Sequence, residues 1–145
     1  MTYTWEDAEA IRELLARYCY FLDGYRLDEF GNLFADDGEW TSVNGHATGP
    51  RAIEGLLRAL MPVPTDGNRR KHFTANIAIR RADDAVEVTS NFLSVRNTAA
   101  GPAVVSVGTY QDLVVPTKDG WKFKLRRLIH EITGDVGLNK AKDPQ

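Results

Sequence analysis

The sequence is poor in the features that staple small folds or mark an exported or membrane-bound chain. It holds one cysteine, Cys19, among 145 residues, so no intrachain disulfide can form, and the position of Cys19 in an apolar helical pattern suits a packed thiol in a reducing cytoplasm. No apolar run approaches the roughly 20 residues a membrane helix needs. The first ten residues carry Glu6, Asp7 and Glu9 where a secretory signal would place a basic stretch and then an apolar one. Neither sign of charge dominates: 18 Lys and Arg stand against 20 Asp and Glu, for a formal net charge of −2. That balance leaves no electrostatic footprint for nucleic acid, and Arg69-Arg70-Lys71 reads as a short solvated strand entry. Internal repeats and low-complexity segments are lacking, as are a phosphate-cradling glycine loop, a nucleophile elbow and a dinucleotide fingerprint. Solenoid, acyl-enzyme and hydride-transfer readings therefore have no support. The three histidines, His46, His72 and His130, match no zinc-ligand spacing. What is present, 43% hydrophobic and 26% charged residues, describes one soluble globular domain over residues 1–145, a size that buries roughly 70% of its unfolded surface.

Hydrophobic periodicity divides that domain into helices first and strands after. Ile11, Leu14, Leu15, Tyr18, Cys19 and Leu22 recur at helical spacing, with Thr4 and Asp7 placed for a capping box and Gly24 as a stop, which predicts an amphipathic helix ending near Asp23. Leu27, Phe30, Leu33 and Phe34 suggest a second, shorter helix, closed by a turn at Asp36-Asp37-Gly38. Glu39 to Val43 reads as a strand, Asn44-Gly45 as a hairpin turn and His46 to Thr48 as the returning strand. Pro50 then opens a helix with an apolar stripe of Ile53, Leu56, Leu57 and Leu60, stopped by Pro62-Val63-Pro64. His72–Arg80, Ala85–Asn97, Ala103–Val115 and Trp121–Ile132 are rich in β-branched and aromatic residues and predict an antiparallel meander. Trp121, Phe123 and Leu125 are out of phase with Leu128, His130 and Ile132, which places a bulge near Arg126-Arg127. The fold class is α+β, a long twisted sheet wrapping a helical layer with a cavity between them. Asn139 to Gln145 is expected to form a loose tail.

A few polar residues fall where chemistry is possible. Asp23, at the C-terminus of the first helix, opposes the helix dipole, so it either binds local backbone donors or pairs with a histidine. His72, at the start of the first long strand, is an ordinary strand residue alone; beside a carboxylate it becomes a general base, its tautomer fixed and its cation stabilised. Tyr18 lies in the apolar stripe, either as core or as a donor at a cavity wall. In the last strand, Arg126 and His130 are candidates to assist a developing negative charge, Arg126-Arg127 otherwise being a solvated pair. His46 follows a turn and is expected to be exposed.

In chain order, Ile11-Arg12-Glu13-Leu14 leading to Tyr18 and Asp23, Phe34-Ala35-Asp36-Asp37-Gly38-Glu39-Trp40, Gly49-Pro50-Arg51-Ala52-Ile53, Lys71-His72-Phe73 and Asp119-Gly120-Trp121-Lys122-Phe123 resemble the SnoaL-like branch of the NTF2-like superfamily over nearly the whole chain. The resemblance implies a small cone with a deep apolar pocket. Tyr18, Asp23 and His72 are similar to the tyrosine, aspartate and histidine of bacterial bile-acid 7α-dehydratases, whose last-strand arginine position falls at His130. Asp23, His72 and Arg126 are similar to residues of hexachlorocyclohexane dehydrochlorinases, whose lysine position holds Tyr18. Scytalone dehydratases resemble the chain at Asp23 and His72, with their second histidine falling near Asn97 and their tyrosine pair near Leu22 and Trp40.

These relatives eliminate a small leaving group from a cyclic, mostly apolar substrate. The resemblance thus implies a cofactor-independent lyase of the dehydratase type acting on a steroid- or polyketide-like ring, with His72 as base, Asp23 orienting it, Tyr18 donating to the substrate oxygen and Arg126 or His130 assisting. Trp40, Phe92, Tyr110 and Asn97 are the expected substrate contacts. No metal or redox cofactor is required. An isomerase or cyclase acting on a similar ketone is the nearest alternative, and a non-catalytic scaffold such as a dioxygenase small subunit is the other. The resemblance also implies a homodimer or homotrimer built on the exposed sheet face.

Overall fold

The structure, a computed structural model, describes residues 2–139. Helix α1 (Trp5–Asp23) begins with the predicted capping box: the Asp7 amide donates to Thr4 Oγ1 while Asp7 Oδ2 accepts from the Thr4 amide at 2.8 Å. Its apolar stripe is the predicted one, with Ile11, Leu14, Leu15, Tyr18, Cys19 and Leu22 buried. After the short helix α2 (Leu27–Gly31) come the strands β1 (Phe34–Ser42) and β2 (Gly45–Thr48), helix α3 (Pro50–Leu60), and four long strands, β3 (Arg70–Ala82), β4 (Ala85–Thr98), β5 (Gly101–Thr117) and β6 (Gly120–Thr133). Asp36-Asp37-Gly38 does not turn the chain as the sequence suggested. It lies inside β1, where pairing with β6 is interrupted between Phe34 and Glu39.

All strands join one sheet in the order β2-β1-β6-β5-β4-β3. The predicted antiparallel meander is present in β3 to β6, while β1 pairs parallel to β6. Register shifts bend this sheet, and those on β3 and β6 decide which side chains there face the helices. On β3, Asn76 has a left-handed φ of +54° and, with Ile77, occupies the register step between Ala75 and Ala78. Inward positions therefore pass from His72 and Thr74 to Ile77 and Ile79, and without that step His72 would lie on the face opposite the two isoleucines. On β6 the register slips at Lys124 and again at Glu131, instead of at Arg126-Arg127. The first slip turns Arg126 inward in phase with Leu128 and His130.

Helices and inner sheet face enclose a continuous core that includes Leu15, Phe30, Phe34, Ile53, Val86, Val88 and Phe123. Gly108 shows how tightly its centre is packed: an added Cβ would sit 1.9 Å from the Ile129 carbonyl oxygen and 2.9 Å from the Phe92 ring. The segment after β6 is not loose where it is described. Asn139 donates from its amide to the Leu60 carbonyl and from Nδ2 to the Ala59 carbonyl, at 3.0 and 3.1 Å. The rest of the expected tail, 140–145, lies outside the described residues.

Candidate functional site

A cavity opens between α1, α3 and the inner sheet face, with about 550 Å³ of space between its walls, the open mouth included. Leu22, Leu57, Leu60, Met61 and Leu128 make it largely apolar, and the aromatic residues Tyr18, Trp40, Phe92 and Tyr110 stand on its wall. Val136 and Leu138 close one side, where the Arg70 guanidinium donates to the Val136 carbonyl at 2.6 Å. The sequence read Arg69-Arg70-Lys71 as a solvated strand entry, but Arg70 is half-buried on this wall, held by the carbonyls after β6; that segment has neither an apolar period nor a motif to announce it.

Asp23 and His72 meet at the junction of α1 and the edge strand β3. One carboxylate oxygen of Asp23 lies 2.6 Å from His72 Nδ1, and the other accepts from the His72 backbone amide at 2.9 Å. Asp23 thus pairs with a histidine, and the backbone donor it binds is on β3 and not, as the alternative reading expected, in its own chain neighbourhood. The two side chains are each 12% exposed. An ionised carboxylate can only accept, so in the neutral imidazole the proton between the two groups sits on Nδ1 and the lone pair on Nε2. His72 also lines the cavity.

Tyr18 is buried, and its hydroxyl oxygen accepts from Trp40 Nε1 at 2.9 Å. Its own hydrogen remains available to donate. Burial pushes the phenol up to about 12, with the Arg126 cation pulling the other way, so Tyr18 stays protonated at neutral pH.

Arg126 is placed differently from the sequence expectation. It is fully buried, pairs through Nε and Nη2 with the two oxygens of Asp112 at 2.8 and 2.7 Å, and does not line the cavity. Its guanidinium carbon lies 4.1, 3.8 and 4.4 Å from the ring centres of Tyr18, Tyr110 and Phe123. The Lys124 slip brings Arg126 opposite Asp112 in the β5–β6 register, and that carboxylate with three aromatic rings replaces the water a cation would otherwise seek. Burial alone would lower the affinity of Arg126 for its proton; Asp112 more than compensates and keeps it charged. Asn97 also misses the cavity. It is turned to the loop before β3, its amide donating to the Arg69 carbonyl and its Nδ2 to the Asp66 carbonyl.

His130 does reach the wall, with Nδ1 2.7 Å from Ser106 Oγ and its ring edge against Phe92. Burial pulls its imidazole below the ordinary histidine range. Ser94 and Ser106 line the same wall and were missed in the sequence reading. The available signal was a serine in the inward phase of a strand: Val86, Val88, Ser90, Phe92 and Ser94 alternate on one buried face. His46 is exposed, with Nε2 3.6 Å from Glu39. Among the described residues no group of three or more His, Cys, Asp or Glu could hold a metal ion, and no helix is long and apolar enough to cross a membrane. Cys19 packs its thiol 3.4 Å from Thr74 Oγ1, and burial pushes that thiol up, away from thiolate chemistry.

This cone of helices on a curved sheet around an apolar cavity has relatives. Residues 4–127 match the SnoaL-like domain. The chain belongs to the SnoaL-like family. Among curated proteins it is 27% identical over 143 residues to the anthranilate 1,2-dioxygenase small subunit of Burkholderia cepacia, covering 88% of this chain and 87% of that one. Among solved structures it is similar to a proposed scytalone dehydratase from Novosphingobium aromaticivorans, with a TM-score of 0.74 and 27% identity over 89% of this chain and 87% of the other. An NTF2-like protein with a cystatin-like fold from the same organism gives 0.74 and 28% over 85% and 80%. The SnoaL-like match and these neighbours place the chain in the NTF2-like, α+β class.

Proposed function

We propose that this SnoaL-like protein is a cofactor-independent enzyme that removes a proton from carbon beside a carbonyl in a small, cyclic, mostly apolar substrate, and that it acts as a lyase of the dehydratase type. The observation that carries this reading is the 2.6 Å contact between Asp23 and His72 Nδ1 beside an apolar cavity. His72 Nε2 takes the proton and the C–H electron pair moves into an enolate. Asp23 stabilises the imidazolium that forms, and Tyr18 donates to the enolate oxygen. The enolate then reforms the carbonyl and expels the β-hydroxyl, which receives the proton back from Nε2 and leaves as water. Nothing in this sequence of steps calls for a metal or a redox group. Arg126 has no direct contact with substrate here. It holds the Tyr18 and Tyr110 rings in place.

The same base would serve an isomerase or cyclase, and the products separate the two. Incubation of cyclic β-hydroxy ketones in heavy water, followed by mass spectrometry, yields the dehydrated enone for a lyase, against deuterated starting skeleton or a rearranged double bond for an isomerase. Both must disappear in His72→Ala.

The similarity to a dioxygenase small subunit favours one other reading, a non-catalytic scaffold for a larger catalytic chain. Copurification with a large iron-sulfur subunit, together with unchanged turnover of that complex in His72→Ala, would select it. The exposed apolar side chains Phe73, Val104 and Ile132 support a homodimer or homotrimer, which sedimentation velocity measures directly.

A further inference from the structure

The base reading uses one end of the cavity wall and leaves a polar row beside it without a task. His72 faces Ser94 in the β3–β4 register, and Ser94 faces Ser106 in the β4–β5 register. Ser106 Oγ in turn lies 2.7 Å from His130 Nδ1. All four residues line the cavity. Two atoms of this row, Ser94 Oγ and His130 Nε2, are buried and have no hydrogen-bond partner among the described residues. A hydroxyl and a ring nitrogen withdrawn from water without partners are costly to the fold. An apolar pair in the same places would pack the wall at no such cost, so the row is better explained by something that enters the cavity.

We propose that Ser94, Ser106 and His130 form an uncharged hydrogen-bonding pole that receives a second oxygen of the substrate, one to three strand spacings, about 5–15 Å, from the carbon that His72 deprotonates. This rests on the reading of His72 as the base and adds the substrate class: a cyclic ketone with a second neutral oxygen, hydroxyl or carbonyl, across the ring system. The chemistry of the row sets that class. A serine hydroxyl both donates and accepts, and whichever way the proton lies between Ser106 and His130 Nδ1, His130 Nε2 has one hydrogen bond left to make. The pole therefore takes either kind of oxygen. It carries no fixed cation: Arg126 is committed to Asp112, and Arg70 donates to the backbone after β6. The pole itself offers a carboxylate or phosphate only neutral hydrogen bonds, the Arg70 guanidinium on the cavity wall being turned to the carbonyls after β6. Phe92 and Tyr110, stacked with ring centres 4.6 Å apart, border the row and favour a flat ring carrying that oxygen.

The test uses the full chain with β-tetralone, a bicyclic ketone, and its phenolic hydroxyl isomers as probes. Binding is measured by calorimetry, and deuterium incorporation beside the ketone by NMR. The pole predicts that at least one hydroxyl isomer binds on the order of tenfold more tightly than β-tetralone, and that Ser94→Ala and His130→Phe each bring that ratio close to one. It also predicts that unliganded Ser94→Ala is as stable as the wild type or more so, because the substitution removes a hydroxyl that only a ligand satisfies. Equal binding of all isomers and the parent ketone overturns the proposal, as does a preference that survives in both variants. The base reading is judged separately in His72→Ala: loss of deuterium incorporation with the binding ratio intact supports both ideas. Persistent incorporation removes the base while leaving the pole to stand or fall on the ratio.

Discussion

At the scale of single residues, the account depends on which nitrogen of His72 is free. Asp23 fixes the Nδ1–H tautomer by accepting at 2.6 Å and also anchors the backbone of the same residue. Asp23→Asn is expected to lower turnover about 10²-fold or more, because an amide neither stabilises the imidazolium nor selects one tautomer. Substrate affinity should change far less, and steady-state kinetics read the two apart. His130 supplies a pH test on stability. Burial depresses its folded pKa, so below about pH 6.5 the unfolded chain takes up the proton first. The His130 contribution is therefore present above that pH and lost as pH falls toward the depressed value. Denaturant titrations should show a smaller acid-side loss in His130→Phe than in the wild type, and equal slopes would contradict this linkage. Asp23, His72 and Tyr18 stood out in the sequence because each is a polar residue beside or within an apolar period: Asp23 at the end of the first helix, Tyr18 in its stripe and His72 at the start of a strand. Ser94 and Ser106 were not seen, because a serine is small enough to pass for any strand residue until its neighbours fix the phase.

At the scale of elements, the strand slips do most of the positioning. The first and third helices were legible nearly to the residue, since period, cap and stop signals coincide in Thr4 to Gly24 and Pro50 to Leu60, whereas the second ends at Gly31, short of Leu33 and of Phe34, which opens β1. The bulges were legible only as a conflict of phase. The sequence showed that β6 changes register but placed the change two residues late, and so left Arg126 as a solvated cation or a substrate contact when it is the centre of the core. Its pairing with Asp112 across β5 and β6 makes a definite prediction. Removing one partner, as in Asp112→Leu or Arg126→Met alone, strands a buried charge and should cost about 3–5 kcal/mol, whereas the double substitution should recover most of that loss. Chemical denaturation of the three variants checks it. Additive losses in the double variant would mean that the pair is not coupled as described.

At the scale of the whole molecule, one cavity is shared by the N-terminal helix, the third helix, the inner sheet face and the stretch after β6. Long-range pairing of this kind cannot be read from local signals, so the sequence predicted the α+β class and the cone but not the parallel β1–β6 pairing, nor the closure of the cavity by Val136 and Leu138. Arg70, Arg96 and Asn139 hold that stretch through hydrogen bonds to or from its backbone and side chains. A chain ending at Gly134 should therefore expose the apolar wall and bind an anilinonaphthalene dye with brighter fluorescence than the full chain; equal fluorescence would show that the stretch does not close the cavity. The central claim is that His72 removes a proton from carbon inside this cavity. It is tested most directly by the rate at which deuterium from heavy water enters the position beside the carbonyl of β-tetralone. The account predicts acceleration over buffer by the wild-type protein and a fall to the buffer rate in His72→Ala with the fold intact by circular dichroism, and incorporation at the wild-type rate in that variant would contradict it.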